Sequence, residues 1–307
     1  MKVKNKVIIV TGGGSGMGRE LVLQLIQKQA KVAAVDIQAE NLEETRSLAQ
    51  APQEQLFTYV LDITDRAAVE ALPEQVIQDL GALDGIINNA GIIQPFVDVK
   101  DLSMDQIEKV MKVNFYGSLY LIRAALPHLL QRPEAHILNV SSMGGFIPFP
   151  GQTIYGASKA AIKLLSEGLY AELKDSPVGV TVVHPGAVKT HISQNSGIEM
   201  EAGAEEESNV PIESASNAAA QMIEGMEKKK FRVLVGKDAK FLDLFYRFSH
   251  KVFHILCCCT GITGGNTYPV KGDVRQLFLI SVLPSQHPAN KHTDQDQVSE
   301  EMTFDEI

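Results

Sequence analysis

The stretch Val7-Ile8-Ile9-Val10-Thr11-Gly12-Gly13-Gly14-Ser15-Gly16-Met17-Gly18 decides the fold. Four consecutive β-branched residues predict a strand buried on both faces. The glycines behind them permit a tight turn, and Leu21, Leu25 and Ile26 then recur at helical spacing up to about Gln29. A second apolar run, Val32-Ala33-Ala34-Val35, is closed by Asp36. Strand, glycine turn, helix and strand make a βαβ unit, which requires a parallel sheet.

The same alternation continues outward. Helices are expected over Ala39 to Gln50, Asp65 to Asp79 with Thr64 or Asp65 as N-cap, and Thr153 to Lys174. A long helix begins near Ser103, where Gln106 completes a capping-box pattern. A further helix covers Glu213 to Glu227. Strands are expected at Leu56 to Leu61, Leu83 to Ile87, Ala135 to Val140, Gly179 to Val183 and Phe231 to Val235. The fold class is therefore α/β: a single doubly wound, Rossmann-type parallel sheet of seven strands with helices on both faces. One domain spans residues 1–245, with the polar, patternless stretch 186–212 as a substrate lid. Residues 246–283 form a C-terminal extension, amphipathic at first and then carrying Cys257, Cys258 and Cys259. Residues 284–307 read as an acidic, disordered tail.

Composition narrows the class. The 307 residues hold 28 Lys plus Arg against 37 Asp plus Glu, a formal charge of −9, which argues against a nucleic-acid binder. There is no apolar run of 18 residues and no signal-peptide core at the N-terminus, and the three cysteines are no disulfide framework. A cytoplasmic protein is expected. Three adjacent cysteines lack zinc-knuckle spacing, so no metal site is expected. His128, His136, His184 and His191 share no ligand spacing and read as structural or surface residues. The aromatic and basic segment Phe241 to Leu256 has two readings. Packing on a neighbouring subunit is preferred, and contact of 241–259 with a membrane surface is the alternative.

Candidate functional residues gather where this fold places ligands, at the carboxyl ends of the strands. Backbone N–H groups of the glycine turn can approach a pyrophosphate at the helix N-terminus. Asp36, 18 residues beyond Gly18, can accept from both adenosine ribose hydroxyls and would repel a 2′-phosphate. Ile37 behind it offers no cation, so NAD(H) is favoured over NADP(H). Asp62 closes the third strand, near where an adenine would lie. Tyr155 and Lys159, four apart, share a helix face, where an ammonium would lower the phenol pKa and make Tyr155 a usable acid or base.

Together these motifs resemble the classical short-chain dehydrogenase/reductase family over residues 3 to 245. Thr11-Gly12 with Gly16 and Gly18, Asn88-Asn89-Ala90-Gly91, Asn114, Ser142, Tyr155 with Lys159, and Pro185-Gly186 stand in that family's order. The resemblance implies a catalytic tetrad. Tyr155 would exchange the proton with the substrate oxygen, Ser142 would orient that oxygen, Lys159 would lower the Tyr155 pKa and hold the nicotinamide ribose, and Asn114 would hold a water leading from Lys159 to solvent. It also implies cofactor contacts from Gly12, Ser15, Gly16, Met17 and Gly18 in the loop, and from Asp36, Ile37, Asp62 and Ile63. Asn89, Ala90 and Gly91, then Tyr155 and Lys159, then Pro185, Gly186, Val188 and Thr190 complete that set. A homodimer or homotetramer is implied as well.

Gly145 to Pro150 and the residues Ile92, Ile93, Pro95 and Phe96 face the expected nicotinamide pocket and carry no Arg or Lys. A small lipophilic secondary alcohol or ketone is thus the expected substrate. The alternatives are an NADP-linked carbonyl reductase and a non-catalytic NADH-binding scaffold.

Overall fold

A computed structural model describes residues 1–190, 192–198 and 212–248. Its main sheet has seven strands: β1 (Val7–Thr11), β2 (Lys31–Asp36), β3 (Leu56–Val60), β4 (Gly85–Asn88), β5 (Ala135–Val140), β6 (Val178–Pro185) and, last in the order, Arg232–Val235. A short pair, β7 (Val188–Lys189) and β8 (Glu213–Ser214), intervenes in sequence, so that last strand is β9. The spatial order is β3-β2-β1-β4-β5-β6-β9, and every pairing is parallel. The order reverses between β1 and β4, which opens a crevice beyond their carboxyl ends.

Both faces of the sheet are covered, because alternate side chains point to opposite sides. Ile8 and Val10 of β1 pack with Leu21 and Leu25 of α1 (Gly16–Gln27) and with Met222 of α8 (Ala215–Glu227). Val7 and Ile9 pack with Leu72 of α3 (Arg66–Leu80), Leu121 of α5 (Ser118–Leu129) and Leu169 of α6 (Thr153–Glu172). Leu25 has no exposed surface; truncating such a side chain to Ala costs about 2–5 kcal/mol. The remaining helices are α2 (Ala39–Ala49), α4 (Met104–Met111), α7 (Ile192–Asn195) and α9 (Lys237–Phe248).

Most of the expected elements stand within a few residues of their expected limits. Asp65, rather than Thr64, caps α3 by accepting from the Ala68 N–H. The Ser103–Gln106 capping box opens α4 with both reciprocal bonds. Two differences matter for function. The helix from Ser103 is interrupted by a π-helical turn, Lys112–Gly117, between α4 and α5. The stretch after β6 is not wholly patternless, since Val188–Lys189 pairs with Glu213–Ser214 and α7 follows at once. Helix α9 starts at Lys237, earlier than Phe241, because Gly236 at φ +96° ends β9 and turns the chain. His191, the cysteine triplet, the acidic tail and most of the C-terminal extension lie outside the described residues. Among the described residues, no helix is long and apolar enough to cross a membrane.

Candidate active site

A cavity of about 610 Å³ fills the crevice. Its walls include Gly12, Ser15, Gly16 and Met17 from the glycine turn, and Asp36 and Ile37 from the end of β2. Asp62 and Ile63 follow β3, Asn89, Ala90 and Gly91 follow β4, and Thr190 closes the opposite side. Twelve of the residues expected to contact a cofactor thus meet in one cavity.

The turn is shaped by steric necessity. Gly12 has φ +69°, and a Cβ there would stand 2.9 Å from Asn89 Nδ2 and 3.0 Å from Ala90 Cα. At Gly18 a Cβ would lie 1.8 Å from the Gly12 carbonyl oxygen, so only glycine lets α1 approach the turn. Gly18 therefore works by packing and does not line the cavity. Thr11 joins the turn to the β4 end: its Oγ1 accepts from the N–H of Asn89 (3.0 Å) and of Ala90 (3.1 Å), while Asn89 Nδ2 donates to the Thr11 carbonyl (3.0 Å).

Asp36 closes the far end of the cavity. Its Oδ2 accepts from the Gly14 N–H (2.9 Å) and its Oδ1 from the Gln38 N–H (3.1 Å), which holds the carboxylate in one orientation with lone pairs to spare. Ile37 beside it is 60% exposed. Arg19 donates to the Gly14 carbonyl and pairs with Glu44 at 2.6 Å. Asp62 is likewise held locally, its Oδ1 accepting from the Thr64 N–H (2.8 Å) and hydroxyl (2.9 Å).

Pro185, Gly186 and Val188 do not line the cavity. Pro185 pairs with Val235 in the sheet, and Val188 packs against the core. Gly186 makes room for Asp238, whose Oδ2 would be 2.1 Å from a Cβ there and accepts from the Ala187 N–H at 2.7 Å. All three are thus engaged in the sheet, the core or the packing of Asp238.

Tyr155, Lys159, Ser142 and Asn114 converge beside Gly91. A Cβ at Gly91 would be 3.1 Å from Lys159 Nζ and 3.2 Å from Asn114 Oδ1, so this glycine is the boundary between the cavity and the four side chains. Ser142 hydrogen-bonds the Tyr155 side chain, which draws the phenol pKa down. Burial acts more strongly in the other direction and leaves it above the ordinary value. Lys159 lies with Nζ 5.9 Å from the Tyr155 ring centroid and donates to the Val140 carbonyl at 3.0 Å. Desolvation pushes its pKa down to about 8. The lowering expected from Lys159 is thus not seen at the phenol, which burial raises, and the ammonium is tied to the end of β5.

The π-helical turn is what brings Asn114 inward. The Asn114 side chain accepts from the Ile92 N–H (2.8 Å) and donates to the Ile92 carbonyl (2.9 Å) and to Ser158 Oγ (2.9 Å). Ser158 in turn donates to the Tyr155 carbonyl at 2.7 Å. His184 is fully buried, with a ring nitrogen 3.1 Å from the Ser142 carbonyl, and burial takes its pKa down to about 4. A neutral imidazole thus holds the serine's backbone, in keeping with a structural histidine. Phe146 beyond Ser142 is enclosed edge-on by His184 and Tyr246, with the Arg232 guanidinium 5.2 Å from its ring.

The model of the short chain dehydrogenase family matches residues 6–201. The chain belongs to this family. SadH of Mycobacterium tuberculosis is 36% identical over 251 residues, covering 80% of this chain and 91% of that one. Dehydrogenase/reductase SDR family member 7B of Rattus norvegicus is 34% identical over 241 residues, covering 76% and 74%. Among solved structures, a short-chain dehydrogenase/reductase of Burkholderia phymatum in complex with NAD superposes with TM-score 0.74 at 24% identity, over 83% of this chain and 96% of that one. Levodione reductase gives TM-score 0.71 at 25% identity, over 78% and 98%.

Within this short-chain dehydrogenase, four residues that shape the site were not singled out from the sequence. Ser158 hides inside the helix motif between Tyr155 and Lys159. Arg232 and Asp243 form a two-pronged ion pair (2.7 and 2.8 Å) that fixes α9 to the sheet edge, which no spacing reveals. Gln94 sits in the apolar run Ile92-Ile93-Gln94-Pro95-Phe96, and its isolation there is the one signal that could have exposed it.

Proposed function

We propose that this short-chain dehydrogenase is an NAD(H)-dependent oxidoreductase acting on a small lipophilic secondary alcohol or ketone, with Tyr155 as acid and base. The observation that carries this reading is the shared boundary at Gly91, which lines the cavity and has room for no side chain against Lys159 and Asn114. The residues present fit a dinucleotide: Gly12 and Gly16 with no side chain on the cavity wall, an oriented carboxylate at Asp36 for a ribose diol, and Thr190 across from Gly16. A bound nicotinamide coenzyme would supply the hydride chemistry.

The chain's own groups manage the proton. Tyr155 keeps its proton near neutrality, which suits donation to a carbonyl oxygen. Ser142, hydrogen-bonded to the Tyr155 side chain, would supply a second hydrogen bond to the same oxygen. Lys159 puts a buried positive charge near the phenol, so that a phenolate formed in turnover is stabilised. Asn114 and Ser158 hold the backbone around Ile92 and Tyr155 in place. Asp36, with Ile37 rather than a cation beside it in the chain, supports NAD(H) over the NADP-linked alternative. Ile92 and Ile192 on the cavity wall support a lipophilic substrate. Exposed Leu164 and Tyr170 on α6 support a homodimer or homotetramer. We retain 186–212 as the substrate lid of a domain ending near residue 245.

The test is NADH formation by the purified protein with NAD⁺ and a panel of secondary alcohols, run beside Tyr155→Phe. The wild type turns over, and the variant loses roughly 10²- to 10⁴-fold in kcat while still binding NADH. Equal turnover by Tyr155→Phe would remove Tyr155 from its role.

A further inference from the structure

Three consecutive residues after the Asn88-Asn89-Ala90-Gly91 turn each fasten a different part of the site. Ile92 exchanges two backbone hydrogen bonds with the Asn114 side chain. Ile93 donates its N–H to Ser196 Oγ, just beyond α7, at 2.9 Å. Gln94, 1% exposed, reaches the helix that carries Tyr155.

That helix needs help at its start. The first N–H groups of an α-helix have no partner within the helix, and the N-cap position of α6 is held by Gln152, outside the residue types that cap well. Gln152 caps nothing: its Nε2 is directed to the Gln94 carbonyl at 2.8 Å. Gln94 does the capping from about sixty residues away in sequence. Its Oε1 accepts from the N–H of Ile154 (2.7 Å) and of Tyr155 itself (3.0 Å), and its Nε2 donates to the Gly151 carbonyl (2.8 Å). One buried amide thus satisfies two donors and one acceptor, a combination that a carboxylate, which has no donor, cannot match.

We propose that Gln94 is a positioning residue for the reaction: it caps α6 from the strand-β4 side and so sets where the Tyr155 phenol stands relative to Ser142 and the cavity. The proposal rests on the reading of Tyr155 as acid and base. The reason for expecting a kinetic effect is geometric, since displacing a reacting group by about 1 Å can cost on the order of 100-fold in rate.

The test compares full-length wild type, Gln94→Leu and Gln94→Glu, with Tyr155→Phe alongside. Leu removes both functions of the amide. Glu keeps an oxygen for the two N–H groups, while its second oxygen takes the place of Nε2 beside the Gly151 carbonyl and must carry a proton to bond it. Three quantities are read: amide hydrogen exchange across residues 153–156, NADH affinity by fluorescence, and kcat and KM for 1-phenylethanol with NAD⁺. In Gln94→Leu the Ile154 and Tyr155 amides should exchange roughly five- to tenfold faster. Its kcat should fall roughly 10- to 100-fold, with NADH affinity unchanged. Gln94→Glu should restore both the protection and most of kcat. Wild-type exchange in Gln94→Leu overturns the cap, and wild-type kcat with unprotected amides overturns the positioning role. Should Gln94→Leu not fold, Gln94→Met is read in its place, and wild-type exchange at Ile154 and Tyr155 there overturns the cap equally. The exchange measurement needs no turnover, so it judges the cap whatever the substrate. A Tyr155→Phe variant that turns over refutes the acid/base reading instead, which separates the two failures.

Discussion

Replacing Lys159 by Met removes a cation that folding must desolvate, and the penalty shows in how stability varies with pH. Lys159 is 4% exposed, and burial lowers its pKa from 10.5 to about 8. Between those two values the unfolded chain carries a proton that the folded chain has released, so stability arising at this position rises with pH through that window. Below about pH 8 both states are protonated, and the folded protein bears the full penalty. A difference of about 2.5 in pKa, at about 1.4 kcal/mol per unit, makes that penalty about 3 kcal/mol. Between pH 7 and pH 9.5 the wild type should therefore gain about 2 kcal/mol relative to Lys159→Met. Losing the bond to the Val140 carbonyl offsets the two proteins by a constant that does not depend on pH. Urea unfolding of both at half-unit steps of pH reads the difference directly. A difference flat to within about 0.5 kcal/mol over that range would show that the ammonium is not desolvated as the structure places it.

Gly18→Ala forces a Cβ against the Gly12 carbonyl oxygen; it should destabilise the fold by about 1–3 kcal/mol and abolish NADH binding, as thermal melts and fluorescence titration would show. Asp36→Ala combined with Ile37→Arg removes the carboxylate and adds a cation, so preference should move toward NADPH; unchanged relative affinities would refute the ribose contact. His184, with its pKa near 4, should show no imidazole titration by NMR between pH 5.5 and 8. Because the unfolded chain takes up that proton first, its contribution to stability is lost as pH falls from about 6.5 toward 4.

Much of the site was legible because it is made of local necessities. The turn at Gly12, the close approach at Gly18 and the carboxylate at the end of β2 follow from backbone sterics and from where strands end. Tyr155 and Lys159 share a face because a helix repeats every 3.6 residues. By contrast, Gly18, Pro185, Gly186 and Val188 stand in the expected motifs but do not line the cavity. A motif marks where a residue is required, and packing decides whether its work is contact or support. The balance of pKa effects at Tyr155 was equally out of reach, since desolvation depends on everything that surrounds the phenol.

The sequence by itself determined the parallel α/β architecture and the strand ends at which the chemistry gathers. Periodicity, glycine sterics and capping act over a few residues, and so can be read from a few residues. Only the tertiary structure decided that a π-helical turn brings Asn114 onto Ile92, that Asp238 occupies the space left by Gly186, and that Gln94 caps a helix some sixty residues away. Each of these depends on two segments meeting, and a buried amide or carboxylate shows its partners only once the fold has chosen which donors surround it.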